Sequence, residues 1–299
     1  MKKRRKRLNH KALWGLLFIA PFMLALCIFR VYPFIRTFLT SLTSSNMMTF
    51  EDQFVGFDNY KRLLSDSTFY SSMWVTLKLW MLNIVPRLGV ALLCAAVFAQ
   101  SKLRGKQLFK AVFYFPNLVN ASTVAVLASL IFRWQGGWLN NLLQSMGLIA
   151  EPVNWLGMPG SAQGVVAGLL WWMWFGYSAV MLTTGILSVP NDVIEAGIID
   201  GANSWQRFWR ITFPIIRPTF AYVFLTTLIG GLQNFEIPRV ITDGLGSPNK
   251  SLLTMTMQMY ILAFRSMQRG YGSAYAMGIF VFTGVVAAVS YRFVNKRTY

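Results

Sequence analysis

The chain has 299 residues, of which 55% are hydrophobic and 13% are charged, and its formal net charge is +18. A soluble domain usually carries about 25% charged residues, so the composition argues against a soluble protein and predicts an integral membrane protein. In that class basic loops at the membrane surface explain a positive charge, and no nucleic-acid partner is implied. Cys27, Cys94 and the single His10 are too few for a disulfide framework, a metal site or a histidine-based catalytic site.

Six apolar runs have the length of roughly 20 residues that a helix needs to cross a bilayer. The sequence therefore predicts an all-α membrane protein whose transmembrane domain, 12–293, lies between a basic tail at 1–11 and a short tail at 294–299. The first run follows KKRRKR, as in a signal peptide, but it is long and has no small-residue cleavage site, so we interpret it as a span. The predicted spans are 12–33, 72–98, 107–132, 163–188, 218–238 and 271–293.

Lysine and arginine are unevenly distributed among the segments that connect these spans. They are dense in the two tails, in the short segment SKLRGKQLFK at 101–110 and in the segment 189–217, and they are sparse in the other connections. By the positive-inside rule, both termini and residues 189–217 are predicted to face the cytoplasm.

The segment 189–217 contains the polar stretch EAGIIDGANSWQRFWRITFP between two apolar spans. Asp192 followed by Glu195 has the spacing of a capping box and predicts the start of a helix. Gly201 is expected to end that helix, and a second short helix is predicted over about 204–212. An amphipathic connector at the membrane interface would have the same pattern, so the residues alone leave that alternative open.

The spacing of the fixed residues in this stretch resembles the EAA motif of binding-protein-dependent ABC permeases, E-A-A-x3-G-x9-I-x-L-P. Gly197 stands where the motif has its second alanine, and Phe213 stands in place of its leucine. The residues that the resemblance assigns to coupling with the ATPase are Glu195, Ala196, Gly197, Asp200, Gly201, Ala202, Ile211 and Pro214.

Other stretches extend the resemblance over nearly the whole chain. LLFIAPFMLALCIFRVYPFIRTFLTSLT is similar to the opening span of carbohydrate permeases of the maltose and glycerol-3-phosphate type, and FVGFDNYKRLL is similar to their first outer loop. The resemblance implies that the chain lies among the lipids of a bacterial or archaeal cell (inner) membrane. It also implies that residues 189–217 form a coupling loop that docks on an ATP-binding subunit.

The sequence has no G-x4-G-K-[ST] phosphate loop, so ATP hydrolysis must belong to a separate polypeptide. The resemblance implies two copies of that ATP-binding subunit, a second homologous permease subunit, an extracytoplasmic solute-binding protein and a carbohydrate substrate. It implies that this chain is a transport subunit, without a catalytic residue, metal ion or cofactor of its own.

Polar and aromatic residues within the spans are the candidates for the substrate path, because such residues are costly in a bilayer. Aromatic rings can stack on the apolar faces of a sugar, and amides or carboxylates can pair with its hydroxyls. Packing, a lipid-facing aromatic belt or a Glu236–Arg239 pair would explain the same residues. The candidates, from 169–178 and 230–239, are Trp172, Trp174, Gly176, Tyr177, Gln233, Asn234 and Glu236.

Two other classes of membrane protein are less consistent with the sequence. A secondary, ion-coupled transporter is the main alternative, but it would be expected to show internal repeats and several acidic residues within the spans. Glu236 is the only acidic residue in a predicted span. A membrane-embedded enzyme has no supporting motif, since neither H-E-x-x-H nor G-x-S-x-G occurs.

Overall fold

A computed structural model describes residues 10–45, 53–100 and 105–294. Within these residues the fold is all-α, as predicted, and the only β pairing is an isolated bridge between Thr43 and Phe54. The predicted tails, 1–11 and 294–299, lie almost entirely outside the described residues, and so do Lys102 and Arg104 of the basic segment 101–110.

Helices account for most of the described chain, and three π-helical turns continue them at Cys27–Val31, Phe208–Thr212 and Ile261–Arg265. The α-helices are α1 His10–Leu26, α2 Tyr32–Ser41, α3 Asp58–Ser65, α4 Ser67–Gln100, α5 Lys106–Leu118, α6 Ala121–Ile131, α7 Trp138–Ser145, α8 Pro159–Leu187, α9 Asn191–Ile199, α10 Ser204–Arg207, α11 Phe213–Leu232, α12 Glu236–Ile241, α13 Met255–Tyr260 and α14 Arg269–Val294.

Five helical stretches of the described chain are long and apolar enough to cross a membrane, and the pair α5 and α6 makes a sixth if it is one span. The axes of α5 and α6 differ by 89°, so residues 107–132 do not form the single straight helix that their hydropathy predicts. Val119 is extended at the end of α5, and the Asn120 side chain then caps α6 by accepting a 2.8 Å hydrogen bond from the Ser122 N–H.

The chain divides into two compact units. The first contains the described residues up to Ser65 together with Leu262–Gly278. The Asn59 amide closes the segment after α2 by donating to the carbonyl oxygens of Ser41 and Thr43, both at 2.8 Å. The Arg62 guanidinium lies 3.9 Å from the centre of the Tyr271 ring, which is within the range of a cation–π interaction.

The second unit contains Asp66–Ile261 and the described residues from Ile279 onward, and its centre is the contact between α4 and α8. Small residues such as Ala91, Ala95 and Ala179 are fully buried there, which lets the helices approach closely. At Gly176 a Cβ would collide with the Phe113 carbonyl of α5, so α5 and α8 touch through their backbones.

An uninterrupted helix runs from α10 through the π turn at Phe208–Thr212 to the end of α11, and we call residues 204–232 the rod. The predicted loop helix at 204–212 and most of the predicted span at 218–238 therefore belong to one element. Pro214 does not end the helix, because the π turn before it has already replaced the α-type bonds: the Phe213 N–H donates to the Phe208 carbonyl. At roughly 1.5 Å per residue the rod is about 43 Å long.

Candidate functional site

A cavity of about 440 Å³ lies within the second unit, a volume in the usual range for small-molecule sites. Its walls come from α4, α6, α8, the end of the rod and the start of α12. The lining residues are Trp80, Asn83, Arg87, Ala121, Leu170, Trp174, Tyr177, Thr226, Thr227, Gly230, Gly231, Gln233, Asn234, Phe235, Glu236 and Ile237.

The α4 wall of the cavity is a polar stripe on an otherwise apolar helix. Trp80, Asn83 and Arg87 recur at the i, i+3, i+7 spacing that places residues on one face of a helix. Their neighbours Ile84 and Leu88 are buried in the core that α4 shares with α8 and α11. Packing of these apolar neighbours thus fixes the direction in which the polar stripe faces.

Arg87 is the one cation among the cavity-lining residues, and it is buried, with 6% of its surface exposed. Its Nε donates a 3.0 Å hydrogen bond to the Ser178 hydroxyl on α8. That hydroxyl in turn lies 3.3 Å from the carbonyl of Trp174, to which it donates. The guanidinium carbon is 5.5 Å from the centre of the Trp174 ring. Two contacts with α8 therefore fix the position of this side chain.

The α8 wall contributes Leu170, Trp174 and Tyr177, again at the spacing of one helical face. The Trp174 and Tyr177 rings meet edge to face with their centres 6.2 Å apart. An apolar surface of this kind, beside polar groups, is suited to a ligand that has both C–H faces and hydroxyls.

The end of the rod forms the third wall. Gly231 makes room for the indole of Trp80, because a Cβ at this position would lie 2.6 Å from Cδ1 of that ring. The chain leaves the helix at Gln233, and the carbonyl of Asn234 accepts a 2.9 Å hydrogen bond from the Thr254 hydroxyl. The break after the rod therefore places an amide side chain on the cavity in a fixed position.

Three buried polar groups on the cavity wall have no hydrogen-bond partner in the described structure: the indole N–H of Trp80, the hydroxyl of Thr227 and the amide nitrogen of Asn234. Leaving a buried donor unpaired costs about 1–3 kcal/mol, so most such groups in folded proteins are paired. All three belong to residues that line the cavity, but the atoms themselves are buried.

The structure brings five of the seven candidate substrate-path residues together on this cavity: Trp174, Tyr177, Gln233, Asn234 and Glu236. Trp172, which is 43% exposed, and Gly176, which packs against α5, are not among the lining residues. Arg239, considered as a partner for Glu236, instead donates a 3.3 Å hydrogen bond to the Tyr260 hydroxyl.

Sequence reasoning missed the α4 and rod contributions, namely Trp80, Asn83, Arg87, Thr226 and Thr227. Arg87 lies well inside α4, which extends on to Gln100. The spacing of Trp80, Asn83 and Arg87 within an apolar helix was the signal that could have found the α4 residues, since polar residues inside a span usually face a protein interior or a cavity.

The coupling loop, residues 189–217, begins with α9, but the predicted capping box between Asp192 and Glu195 is wrong. Pro190 occupies the N-cap position and provides no side-chain acceptor, so α9 starts at Asn191 and Asp192 already lies in its first turn. The loop has a capping box at the next helix instead, where Asn203 and Gln206 bond reciprocally at 2.8 and 2.9 Å.

Gly201 ends α9 in the left-handed conformation, with φ of +78°. The Ala202 N–H donates to the Gly197 carbonyl at 2.9 Å and the Gly201 N–H donates to the Ile198 carbonyl at 3.0 Å, which is the Schellman arrangement. The motif glycine is therefore needed for its backbone, since residues with a Cβ seldom adopt this conformation.

Gly197 is buried where α9 meets the π turn of the rod. A Cβ at this position would lie 2.5 Å from Cδ1 of Ile211, the apolar residue at the motif's fixed isoleucine position. The departure from alanine at Gly197 thus allows Ile211 to approach the α9 backbone. Arg207 strengthens the same corner by donating a 3.1 Å hydrogen bond to the Ala202 carbonyl.

The remaining motif side chains point outward. Glu195, Ala196, Asp200 and Pro214 are exposed, while Ala202 is half-buried. Large apolar side chains accompany them: 85% of Ile199 and 70% of Trp205 are exposed. The motif therefore has two parts, one that builds the corner between α9 and the rod and one that presents carboxylates beside apolar side chains.

The coupling loop is anchored in the same core that supports the cavity wall. Phe208 and Val189 are buried with Ile186 of α8, Leu88 of α4 and Ile216 of α11. The loop therefore cannot move as an independent flap, because its movement would carry α8 and the rod with it.

Comparison with known proteins agrees with this arrangement. Residues 88–298 match the family model described as "Binding-protein-dependent transport system inner membrane component". The match covers well over half of the chain, so the protein belongs to this family of inner-membrane permease components. The assignment confirms the prediction of a transport subunit rather than an enzyme, and it favours an ATP-driven importer over an ion-coupled carrier.

Several curated relatives align along most of the chain. The lactose transport system permease protein LacF of Rhizobium radiobacter is 32% identical over 85% of this chain and 84% of its own length. The arabinooligosaccharides transport system permease protein AraP of Bacillus subtilis is 31% identical over 92% of this chain and 86% of its own. The multiple sugar-binding transport system permease protein MsmF of Streptococcus mutans is 29% identical over 95% and 96%.

The fold is similar to that of a solved bacterial ABC transporter that imports the acidic polysaccharide alginate. The superposition has a TM-score of 0.77 and covers 97% of this chain and 98% of that one, at 20% sequence identity. A second structure, of the alginate transporter in complex with a periplasmic protein bound to an alginate pentasaccharide, gives the same TM-score over 96% of this chain and 94% of that one, at 22% identity. At these identities the likeness concerns the fold.

Proposed function

We propose that this chain is a permease subunit of an importer that moves a carbohydrate through the cavity between α4, α8 and the rod. The observation that carries the proposal is the composition of that cavity, where the Trp174 and Tyr177 rings lie on one wall with the polar side chains of Trp80, Thr227 and Asn234 on the others. Aromatic rings and hydrogen-bond donors together match the C–H faces and the oxygens of a sugar. Relatives whose names refer to lactose and to arabinooligosaccharides support this substrate class.

The partners follow from the surfaces of the chain and from the family. We infer that the exposed side of the coupling loop, with Glu195, Asp200, Ile199 and Trp205, docks on an ATP-binding subunit. Two copies of that subunit, a second homologous permease and an extracytoplasmic solute-binding protein would complete the importer. In this assembly both termini and the coupling loop face the cytoplasm, and the 12–293 domain spans the membrane with its predicted six crossings.

The rod is the element that connects the two sites. Its first residues belong to the coupling loop and its last residues, from Thr226 to Gly231, line the cavity. A movement imposed on the loop by the ATP-binding subunit would therefore shift the cavity wall as part of one rigid body.

The test is uptake into proteoliposomes that contain the full complex, with the binding protein supplied outside and ATP supplied on the side of the ATP-binding subunits. A panel of labelled neutral and acidic mono- and disaccharides serves as substrate. We expect uptake of at least one carbohydrate that requires both ATP and the binding protein. Uptake driven by an ion gradient without ATP, or no carbohydrate uptake at all, would contradict the proposal.

A further inference from the structure

We propose that Arg87 makes the cavity selective for a carbohydrate that carries a carboxylate or a similar singly charged oxyanion. The inference rests on the proposed function and specifies its substrate class. Arg87 is 6% exposed, lies on the cavity wall in the interior of a membrane-spanning helix, and has no carboxylate of a described residue within the 4.0 Å of an ion pair.

The hydrogen bond and the aromatic contact of Arg87 are both with α8. Nε donates to the Ser178 hydroxyl, and the Trp174 ring lies against the group, while no described residue accepts a hydrogen bond from the two terminal nitrogens. These terminal nitrogens form the planar fork that binds a carboxylate through two parallel hydrogen bonds. The contacts with α8 hold the fork in place before a ligand arrives.

The positive charge of Arg87 lies within a membrane-spanning helix, where a charge usually has a function. A buried cation without a counter-charge is costly, and ionisable residues at this depth normally pair or line a functional path. The lining residues near Arg87, namely Asn83, Trp174 and Tyr177, carry no carboxylate. Glu236, the only acidic lining residue, is exposed. An oxyanion on the substrate would supply the counter-charge that the protein itself does not place beside Arg87.

The other donors of the cavity favour the same kind of ligand. The Trp80 indole and the Asn234 amide nitrogen belong to lining residues, and both can only donate. A neutral sugar presents hydroxyls that both donate and accept, whereas a uronate adds two oxygens that only accept. A single guanidinium matches one negative charge, so a doubly charged phosphate would leave one charge unbalanced.

The experiment is equilibrium binding to the full transporter complex in nanodiscs, without the binding protein, so that the cavity alone selects. The probes are labelled disaccharides of galacturonate, glucuronate and mannuronate, the methyl ester of each, the matching neutral disaccharides, and glucose 6-phosphate. The ester keeps the sugar and removes the charge. We expect at least one uronate to bind about tenfold or more tightly than its ester, a difference of roughly 1.4 kcal/mol.

Substitutions of Arg87 then test whether this residue causes the preference for the acid over the ester. Arg87→Gln should abolish the discrimination between acid and ester, and Arg87→Lys should keep part of it, because lysine retains the charge without the planar fork. Equal binding of acid and ester by the unmodified complex, tighter binding of glucose 6-phosphate than of any uronate, or a preference that persists in Arg87→Gln would each overturn the inference. Binding of neutral sugars alone would overturn it and leave carbohydrate import standing, whereas failure of every carbohydrate to bind or to be taken up would contradict the proposed function.

Discussion

The cavity and the coupling loop lie at opposite ends of the rod, and they depart from ordinary protein structure in opposite ways. The cavity wall leaves the buried donors of Trp80, Thr227 and Asn234 without partners. Within the coupling loop no buried side-chain nitrogen or oxygen is unpaired, but Ile199 and Trp205 expose large apolar surfaces. A concave wall of aromatic and polar residues is suited to a small ligand, and exposed apolar side chains beside carboxylates are what a protein partner covers.

The comparison also shows how one motif can serve two purposes. Gly197, Gly201 and Ile211 are explained by the corner between α9 and the rod, since each has a geometric reason within this chain. Glu195 and Asp200 have no such reason, because both carboxylates are exposed and bond to nothing described. We therefore expect changes in the first group to act through the shape of the loop and changes in the second group to act only on docking.

The largest effect is expected from Ile199→Glu, which tests whether the exposed apolar surface of the loop is a docking surface. Ile199 is 85% exposed, so the change should leave the fold intact, but a carboxylate buried against the partner without a counter-charge costs several kcal/mol. ATP-dependent uptake should fall by more than about 100-fold. The matched control, Ile199→Leu, keeps the apolar surface and should transport normally. Co-purification of the ATP-binding subunit with Ile199→Glu at the level of the unmodified chain would contradict the docking role.

Gly201→Val should have the next largest effect, because it acts on the shape of the loop and not on its surface. The φ of +78° is a left-handed conformation that costs a residue with a Cβ about 1–2 kcal/mol, and a β-branched valine is among the least tolerant residues. Uptake should fall about tenfold. Gly201→Asn is the control, since asparagine adopts this conformation more readily. No atom lies within 4 Å of a Cβ placed there, so a clash within the chain is not expected. Equal loss in both variants would show that backbone strain is not responsible.

A smaller effect is expected from Trp174→Ala, and the comparison with Trp172→Ala sharpens the definition of the cavity. Trp174 lines the cavity while Trp172, two residues away on the same helix, does not. Loss of an aromatic contact of about 0.5–1.5 kcal/mol corresponds to a roughly two- to twelvefold fall in substrate affinity. Both variants are assayed by the affinity of the full complex for its substrate. A greater loss with Trp172→Ala than with Trp174→Ala would move the substrate path away from this cavity.

The smallest effect is expected from Gly197→Ala, which restores the alanine of the EAA motif. The new Cβ would meet Cδ1 of Ile211 at 2.5 Å, and that atom is the end of a flexible side chain that can turn aside. We expect uptake to change by less than about twofold, and Ile211→Val to relieve whatever loss occurs. If uptake fell as far as in Gly201→Val, the corner between α9 and the rod could not accommodate even one additional methyl group.

Sequence reasoning recovered the features that depend on composition and local spacing. The apolar runs predicted the all-α fold, and the EAA spacing identified the family. The coupling role of 189–217 stays a prediction. Both signals are short-range, because a hydrophobic run or a fixed interval along the chain is visible without knowing what packs against it.

Features that depend on packing were not predictable in the same way. The 89° bend between α5 and α6 falls inside a continuous apolar run, and hydropathy does not record direction. The role of Arg87 depends on Ser178, which lies 91 residues further along the chain, so the sequence shows only an isolated charge. The helix start at Asn191 was misplaced because two residue patterns, a proline and a capping box, compete within one turn.

The π-helical turn at Phe208–Thr212 has a consequence for how the chain tolerates changes in its length. A π turn holds one residue more than an α turn, so the rod contains a surplus residue at this position. Removing one residue there would leave a regular α-helix, and the side chains on either side of the turn would keep their orientation relative to each other. Removing one residue from 219–225 would instead rotate everything beyond it by about 100° and turn Thr226 and Gly230 away from the cavity. The number of residues along α11 therefore fixes the direction in which Thr226 and Gly230 face. Within the rod, only the π turn in the coupling loop can lose a residue without changing that direction.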